Sequence, residues 1–129
     1  MRTFFAAMAS APDFAALETI VGQAVAPSGL MEFTRFDLGM VLRKEVPAAG
    51  RILRLLIGNP VIMKQMARHV PDAGSYAPVT ILIDERPDGT HLSYDRVASL
   101  LAPYASAEAL KVAQALDEKI EGSLRVAAA

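Results

Sequence analysis

The chain has 129 residues, 53% hydrophobic and 21% charged, with a net charge of −1 at pH 7 and no cysteine. That is the length of one domain with ample apolar surface for a core, which argues against disorder and excludes disulfides, thiolate metal sites and a cysteine nucleophile. The near-neutral balance supplies no bulk attraction for nucleic acid, and no apolar run reaches the roughly 18 residues of a membrane span.

Residues 1–12 fit either an edge strand or a short helical turn. Arg2 and Ala7-Met8-Ala9 imitate a secretory leader. The apolar segment between them, residues 3–6, is shorter than the roughly 7–15 residues such a leader needs, so the expectation is a cytoplasmic protein. Pro12-Asp13 opens a clearer helix in which Phe14, Leu17, Val21 and Ala24 recur at helical spacing. Pro27-Ser28-Gly29 ends it. Residues 30–36 alternate as a strand, with Met31 and Phe33 suited to one face and Leu30 and Phe36 to the other. Asp37 is the expected cap of a short helix through Glu45, with Leu38, Val41 and Leu42 as its apolar side.

The next strand covers residues 51–57. Leu53, Leu55 and Ile57 share one face, and Ile52, Arg54 and Leu56 the other. Gly58-Asn59-Pro60 is a strand-to-helix junction, with Asn59 as N-cap and Pro60 at the first helical position. Ile62, Met66 and Val70, joined by Met63, form the buried stripe of the helix, and Pro71 stops it at Val70. Residues 78–85 read as a strand, and Arg86-Pro87-Asp88-Gly89 as a turn into a returning strand over 90–95. A three-residue loop would pair Asp84 with Leu92. A four-residue loop would pair Ile83 with Leu92, Ile81 with Tyr94 and Asp84 with His91. The second sorts apolar with apolar and is favoured. Residues 96–101 form a helical turn broken by Pro103. Ser106 caps a last helix whose inner face is Leu110, Ala113, Leu116 or Asp117, Ile120 and Leu124, with a frayed tail over 126–129.

Antiparallel strands flanked by amphipathic helices predict a single α+β domain over residues 1–129. The expected form is a two-layer sandwich, with an antiparallel sheet of four to five strands covered on one face by helices. Ile52, Leu56 and Leu82 fall on the uncovered face with Thr80, Arg54 and His91. That face is greasier than solvent requires, which points to a homodimer or a small-molecule ligand.

The segments GNP (58–60), APVTILIDE (77–85), DGTHLSYD (88–95) and ALKVAQALDEKIEGSL (109–124) resemble the bacterial and archaeal domain of unknown function 302 family. The resemblance spans roughly residues 14–124. It implies a topology similar to that of the TATA-binding protein, strand, helix, four strands and helix, often as a homodimer, and it implies no established activity. Family members open with a clear strand, whereas residues 2–7 make a poor one.

Several polar residues are candidates for a site. Asp84 opposite His91 would orient and activate the imidazole as a base, with Tyr94 positioning a substrate; this is the hydrolase or isomerase alternative. The competing view is a surface pair near a hairpin tip. Tyr94 and Asp95 could contact a ligand, or fill the core edge and cap the turn at Arg96. Tyr76 joins them as a ligand-binding candidate. His69 near Met63, Met66 and Met40 suggests a haem or metal carrier, but such methionines usually only pack. The expectation is therefore no metal and no cofactor. Asn59 opens a helix N-terminus that could hold an anion, although Pro60 removes a donor. The first reading is a homodimeric module without catalysis that binds a small ligand, with no nucleic-acid or membrane partner.

Overall fold

The structure, a computed structural model, describes residues 1–129. The ambiguous N-terminus is helical: α1 runs Arg2–Ser10 and none of its residues is buried. Asp13 then caps α2, Phe14–Ala24, by accepting from the Ala16 amide at 2.8 Å. Val21 is the buried residue of α2. Phe14, expected on the same inward stripe, instead lies outside, where its ring carries the Lys64 ammonium 4.2 Å from its centroid.

Four antiparallel strands follow: β1 Met31–Asp37, β2 Ile52–Gly58, β3 Val79–Arg86 and β4 Gly89–Tyr94, in the spatial order β1-β2-β3-β4. Between β2 and β3, Leu53 faces Ile83, Leu55 faces Ile81 and Ile57 faces Val79. These residues look toward the helices. Leu55, Ile57 and Ile83 pack against a buried core that includes Val79, Ile81, Met66, Val97, Leu101, Leu116 and Ile120. The alternate residues Ile52, Arg54, Leu56, Thr80, Leu82 and Asp84 face the other way by the period of two. The β3–β4 hairpin has the favoured register, with Ile81 opposite Tyr94, Ile83 opposite Leu92 and Asp84 opposite His91. Pairing continues to Arg86–Gly89, so the loop is Pro87-Asp88 alone, and Gly89 supplies a φ of 132° that other residues resist.

The two-faced reading of residues 30–36 has a physical cause. Pairing steps from Glu32–Ile57 to Thr34–Leu56, leaving Phe33 as an extra, bulged residue. A bulge exchanges the faces on its two sides. Leu30 and Met31 are buried before it, while Phe36 beyond it pairs with Arg54 on the uncovered face.

Between the strands, α3 covers Leu38–Leu42 and is capped by Asp37 through the Met40 amide. Its expected apolar side is outward: Leu38, Val41 and Leu42 are exposed, and Gly39 is the buried residue. A Cβ at Gly39 would stand 2.7 Å from the Ile52 amide nitrogen. The glycine lets the backbones meet and turns the apolar side chains away. After β2, α4 spans Pro60–Ala67 and ends earlier than Val70. Arg68 and His69 form a turn, and Val70 is extended ahead of a 3-10 turn over Pro71–Ser75, as a residue before proline prefers.

After β4, α5 spans Val97–Leu101 and passes into a 3-10 turn over Ala102–Tyr104, which accommodates Pro103 rather than breaking at it. Ser106 caps α6, Ala107–Ala128, through the Ala109 amide. The tail expected to fray is helical to Ala128. The sheet is thus four-stranded, with helices packed on one face. No helix is long and apolar enough to cross a membrane.

Candidate functional site

The Gly58-Asn59-Pro60 junction and the start of β3 form one end of the sheet. Beside it α1 lies across the bulge: the Phe5 ring stacks on Phe33 at 6.1 Å and the Phe4 ring meets it edge-on at 6.4 Å. The space left between α1, α4 and the sheet end is a cavity of about 430 Å³. Met1, Phe5 and Met8 line it from α1, Phe33 and Leu56 from the sheet, and Ile62 and Met63 from α4. Asn59 also borders it, but its polar atoms are engaged. The side-chain oxygen accepts from the Val61 and Ile62 amides, and the nitrogen donates to the Gly29 carbonyl at 2.8 Å. An anion at this helix start would have to displace that cap.

A second cleft of about 500 Å³ adjoins the first, bordered by the uncovered face and by Tyr94, Val97 and Leu100 from the helix side. Leu56, Ala77, Pro78 and Val79 line both spaces, so the two lie side by side. Arg54, Thr80 and Ser93 contribute to its floor, and Tyr76, Asp95 and Leu100 also line it. The Arg54 guanidinium donates to the Thr80 hydroxyl at 3.3 Å and lies 6.0 Å from the Phe36 ring centre.

Tyr94 reaches this cleft, but its hydroxyl is committed elsewhere: it donates to Asp117 of α6 at 2.5 Å. Burial first, then the bond to the Asp117 carboxylate, pushes the phenol well above its ordinary value. The same carboxylate accepts from the Val97 and Ala98 amides at 2.9 and 3.0 Å. Asp117 therefore caps α5 from another helix, a task the sequence suggested for Asp95. Nearby, Arg96 pairs with Glu121.

Asp84 and His91 stand opposite one another, yet each has another partner. Asp84 accepts from Arg86 at 2.6 Å, and the His91 ring meets Asp88 at 2.7 Å. The bond to His91 holds the Asp88 carboxyl below its usual value. Tyr94 points to the helix side of the sheet, so it does not join the Asp84–His91 pair in a site. His69 lies on the turn after α4 and lines neither space. Met66 is fully buried in the core, while Met40 is exposed on α3. No group of three or more His, Asp or Glu side chains is arranged to hold a metal ion.

The structure thus brings Tyr76, Tyr94 and Asp95 into one cleft and places Asn59 beside its apolar extension. It leaves Asp84, His91 and His69 apart. Sequence reasoning missed Arg54 as a site residue and missed the whole α1 wall. Arg54 did carry a signal, since it is the charged residue between Ile52 and Leu56 on one strand face. Residues 1–12 carried one signal for that wall, the helical spacing of Met1, Phe5 and Met8.

A family model described as "Domain of unknown function DUF302" matches residues 6–126. No curated protein matches the chain. Among solved structures, the chain is similar to an uncharacterized conserved DUF302 protein from Bacillus stearothermophilus. The TM-score is 0.68 at 13% identity, covering 81% of this chain and 84% of that one. At that identity the likeness carries the fold alone, and it agrees with the sheet and helix layers described above. The family match covers nearly the whole chain, helix α1 in part included, and by it the chain belongs to the DUF302 family.

Proposed function

We propose that this protein is a binding module without catalysis, and that its ligand is a small apolar molecule held between α1, α4 and the sheet end. The observation that carries the reading is the cavity of about 430 Å³, walled by Met, Phe, Ile and Leu side chains. Ligand pockets are concave, mostly apolar and of roughly 300–1,000 Å³. The polar candidates supply no nucleophile with a base in reach, which favours binding over chemistry. Fluorescence titration with the neutral probe N-phenyl-1-naphthylamine tests this. The parent should bind and Met8→Trp, which fills the cavity from α1, should bind far less. A parent that leaves the probe dark, or a filled variant that binds equally well, would overturn the reading.

A second reading, homodimerisation, is favoured by a separate observation. Phe36, Leu38, Met40, Val41, Leu42 and Val46 are all exposed, Val41 at 64%, around one corner of the sheet. Clustered exposed apolar side chains mark association surfaces. A specific interface would bury on the order of 1,200–2,000 Å² in total. Sedimentation should then report twice the chain's 13.8 kDa, and Val41→Glu should return it to the monomer. A monomer at micromolar concentration would count against it.

A further inference from the structure

We propose that the ligand is an amphipathic monocarboxylate, its apolar tail in the cavity under α1 and its carboxylate on the Arg54 guanidinium in the adjoining cleft. The inference rests on the cavity reading above and adds the head group to it.

Strand geometry makes the connection. Arg54 and Leu56 are two residues apart on β2 and face the same way, so their Cα atoms are roughly 6.6 Å apart along the strand. Leu56 borders both spaces. A chain molecule emerging from the apolar end over Leu56 and Pro78 therefore arrives at Arg54 within a few carbon atoms.

Arg54, like Arg2, Arg51 and Arg68, has no carboxylate partner, and of these four it is the one that lines the cleft. Arg35, Arg43, Arg86, Arg96 and Arg125 each pair with a carboxylate. Arg54 has only the Thr80 hydroxyl, reached by Nε at 3.4 Å and Nη2 at 3.3 Å, and the Phe36 ring. Arg54 is exposed, so its remaining N–H donors face water that a carboxylate can displace. The Thr80 and Phe36 contacts hold the planar fork in place, so less side-chain freedom is lost when a carboxylate docks. Ser93 also lines the cleft, as does Tyr76, whose hydroxyl is paired with that of Tyr104 at 3.3 Å.

Charge selects among anions. Asp95 lines the cleft as well, so it holds one fixed cation and one fixed anion. Like charge disfavours a second negative group. A phosphate dianion meets that opposition twice over, whereas a single carboxylate can turn toward Arg54 and away from Asp95. The start of α4 offers no competing anion site, because Asn59 caps it and Pro60 lacks an N–H.

Isothermal titration with decanoate and decan-1-ol tests the proposal on the full chain. The two probes share a tail and differ in the head. The parent should bind decanoate more tightly than decan-1-ol. Arg54→Gln should weaken decanoate by roughly two- to five-fold, the worth of a solvent-exposed ion pair, and leave decan-1-ol unchanged. Arg54→Lys should recover part of the loss, and Asp95→Asn should tighten decanoate. If decan-1-ol binds the parent as well as decanoate does, or Arg54→Gln leaves decanoate unaffected, the head-group assignment falls while the cavity reading stands. If Asp95→Asn weakens decanoate, the head group is held elsewhere and the assignment falls too. If neither probe binds the parent, both fall together.

Discussion

Removing the Asp117 carboxylate should be among the most damaging polar changes in this protein. Asp117 is 5% exposed, yet it accepts three hydrogen bonds, from the Tyr94 hydroxyl and the Val97 and Ala98 amides. Asp117→Ala would leave the Val97 N–H, at 1% residue exposure, with neither protein partner nor free access to water. A buried donor left unmade costs about 1–3 kcal/mol, and losing a helix cap costs about 1 kcal/mol. The Tyr94 hydroxyl adds a further loss, while relief of a buried charge offsets part of the sum. The expected net is about 2–4 kcal/mol, or a fall in Tm of roughly 10 °C for a domain of this size. Asp117→Asn keeps one acceptor oxygen and should lose about half as much. Urea unfolding followed by circular dichroism, at one protein concentration, measures both. In the Asp117→Ala background, Tyr94→Phe should cost less than in the parent, since its partner is already gone. An Asp117→Ala protein within about 1 kcal/mol of the parent would refute the capping argument, because no cap or buried donor could then depend on it.

Other changes have equally definite signs. Met66 is 0% exposed in the core, so Met66→Ala should cost about 2–5 kcal/mol in the same urea assay. Asn59→Ala should cost about 1–2 kcal/mol, since it removes both the α4 cap and the bond to the Gly29 carbonyl. Gly39→Ala would normally help a helix, but here the new methyl meets the Ile52 backbone at 2.7 Å; it should destabilise by about 1–3 kcal/mol, and a stabilised variant would dispute the α3–β2 contact. Tyr94 has a folded pKa above its ordinary 10.0, so its contribution is complete below that pH and is lost as the pH rises beyond it. Stability measured at neutral and at strongly alkaline pH should therefore fall less in Tyr94→Phe than in the parent, and equal falls would contradict the assignment.

Local chemistry made most of the fold legible. Asp37, Asn59 and Ser106 cap helices where their positions suggested. The alternation of β2 and β3 sorted inward from outward residues, and burial preference selected the hairpin register. The failures were of another kind. The bulge at Phe33 shifts a strand by one residue, and alternation alone cannot locate such a shift. The outward turn of α3 depends on a glycine approaching a backbone that is distant in sequence. Helix α1 lacks a side-chain cap, so its start carried no signal, and the Met1, Phe5 and Met8 stripe at helical spacing, which buries no residue, was its one mark in the sequence. The candidate site suffered from the same limit. Residue type suggested Asp84 with His91, but Arg86 and Asp88 lie closer to each and take the hydrogen bonds.

One tertiary contact links the stability argument to the binding argument. By its position after β4, Asp95 should have capped α5, and a capping carboxylate is not free to act on anything else. The cap comes instead from Asp117, which reaches the Val97 and Ala98 amides from α6. Asp95 is left lining the cleft, opposite in charge to Arg54. The consequence is a pair of adjoining spaces with a graded character. Its α1 end is largely apolar because Asn59, which lines it with Thr34, is consumed by its own helix and the Gly29 carbonyl. Its β4 end is polar because a distant helix has relieved Asp95 of structural work. A ligand matched to both ends needs a hydrocarbon part and one charged head, and the strand spacing from Leu56 to Arg54 sets where one gives way to the other.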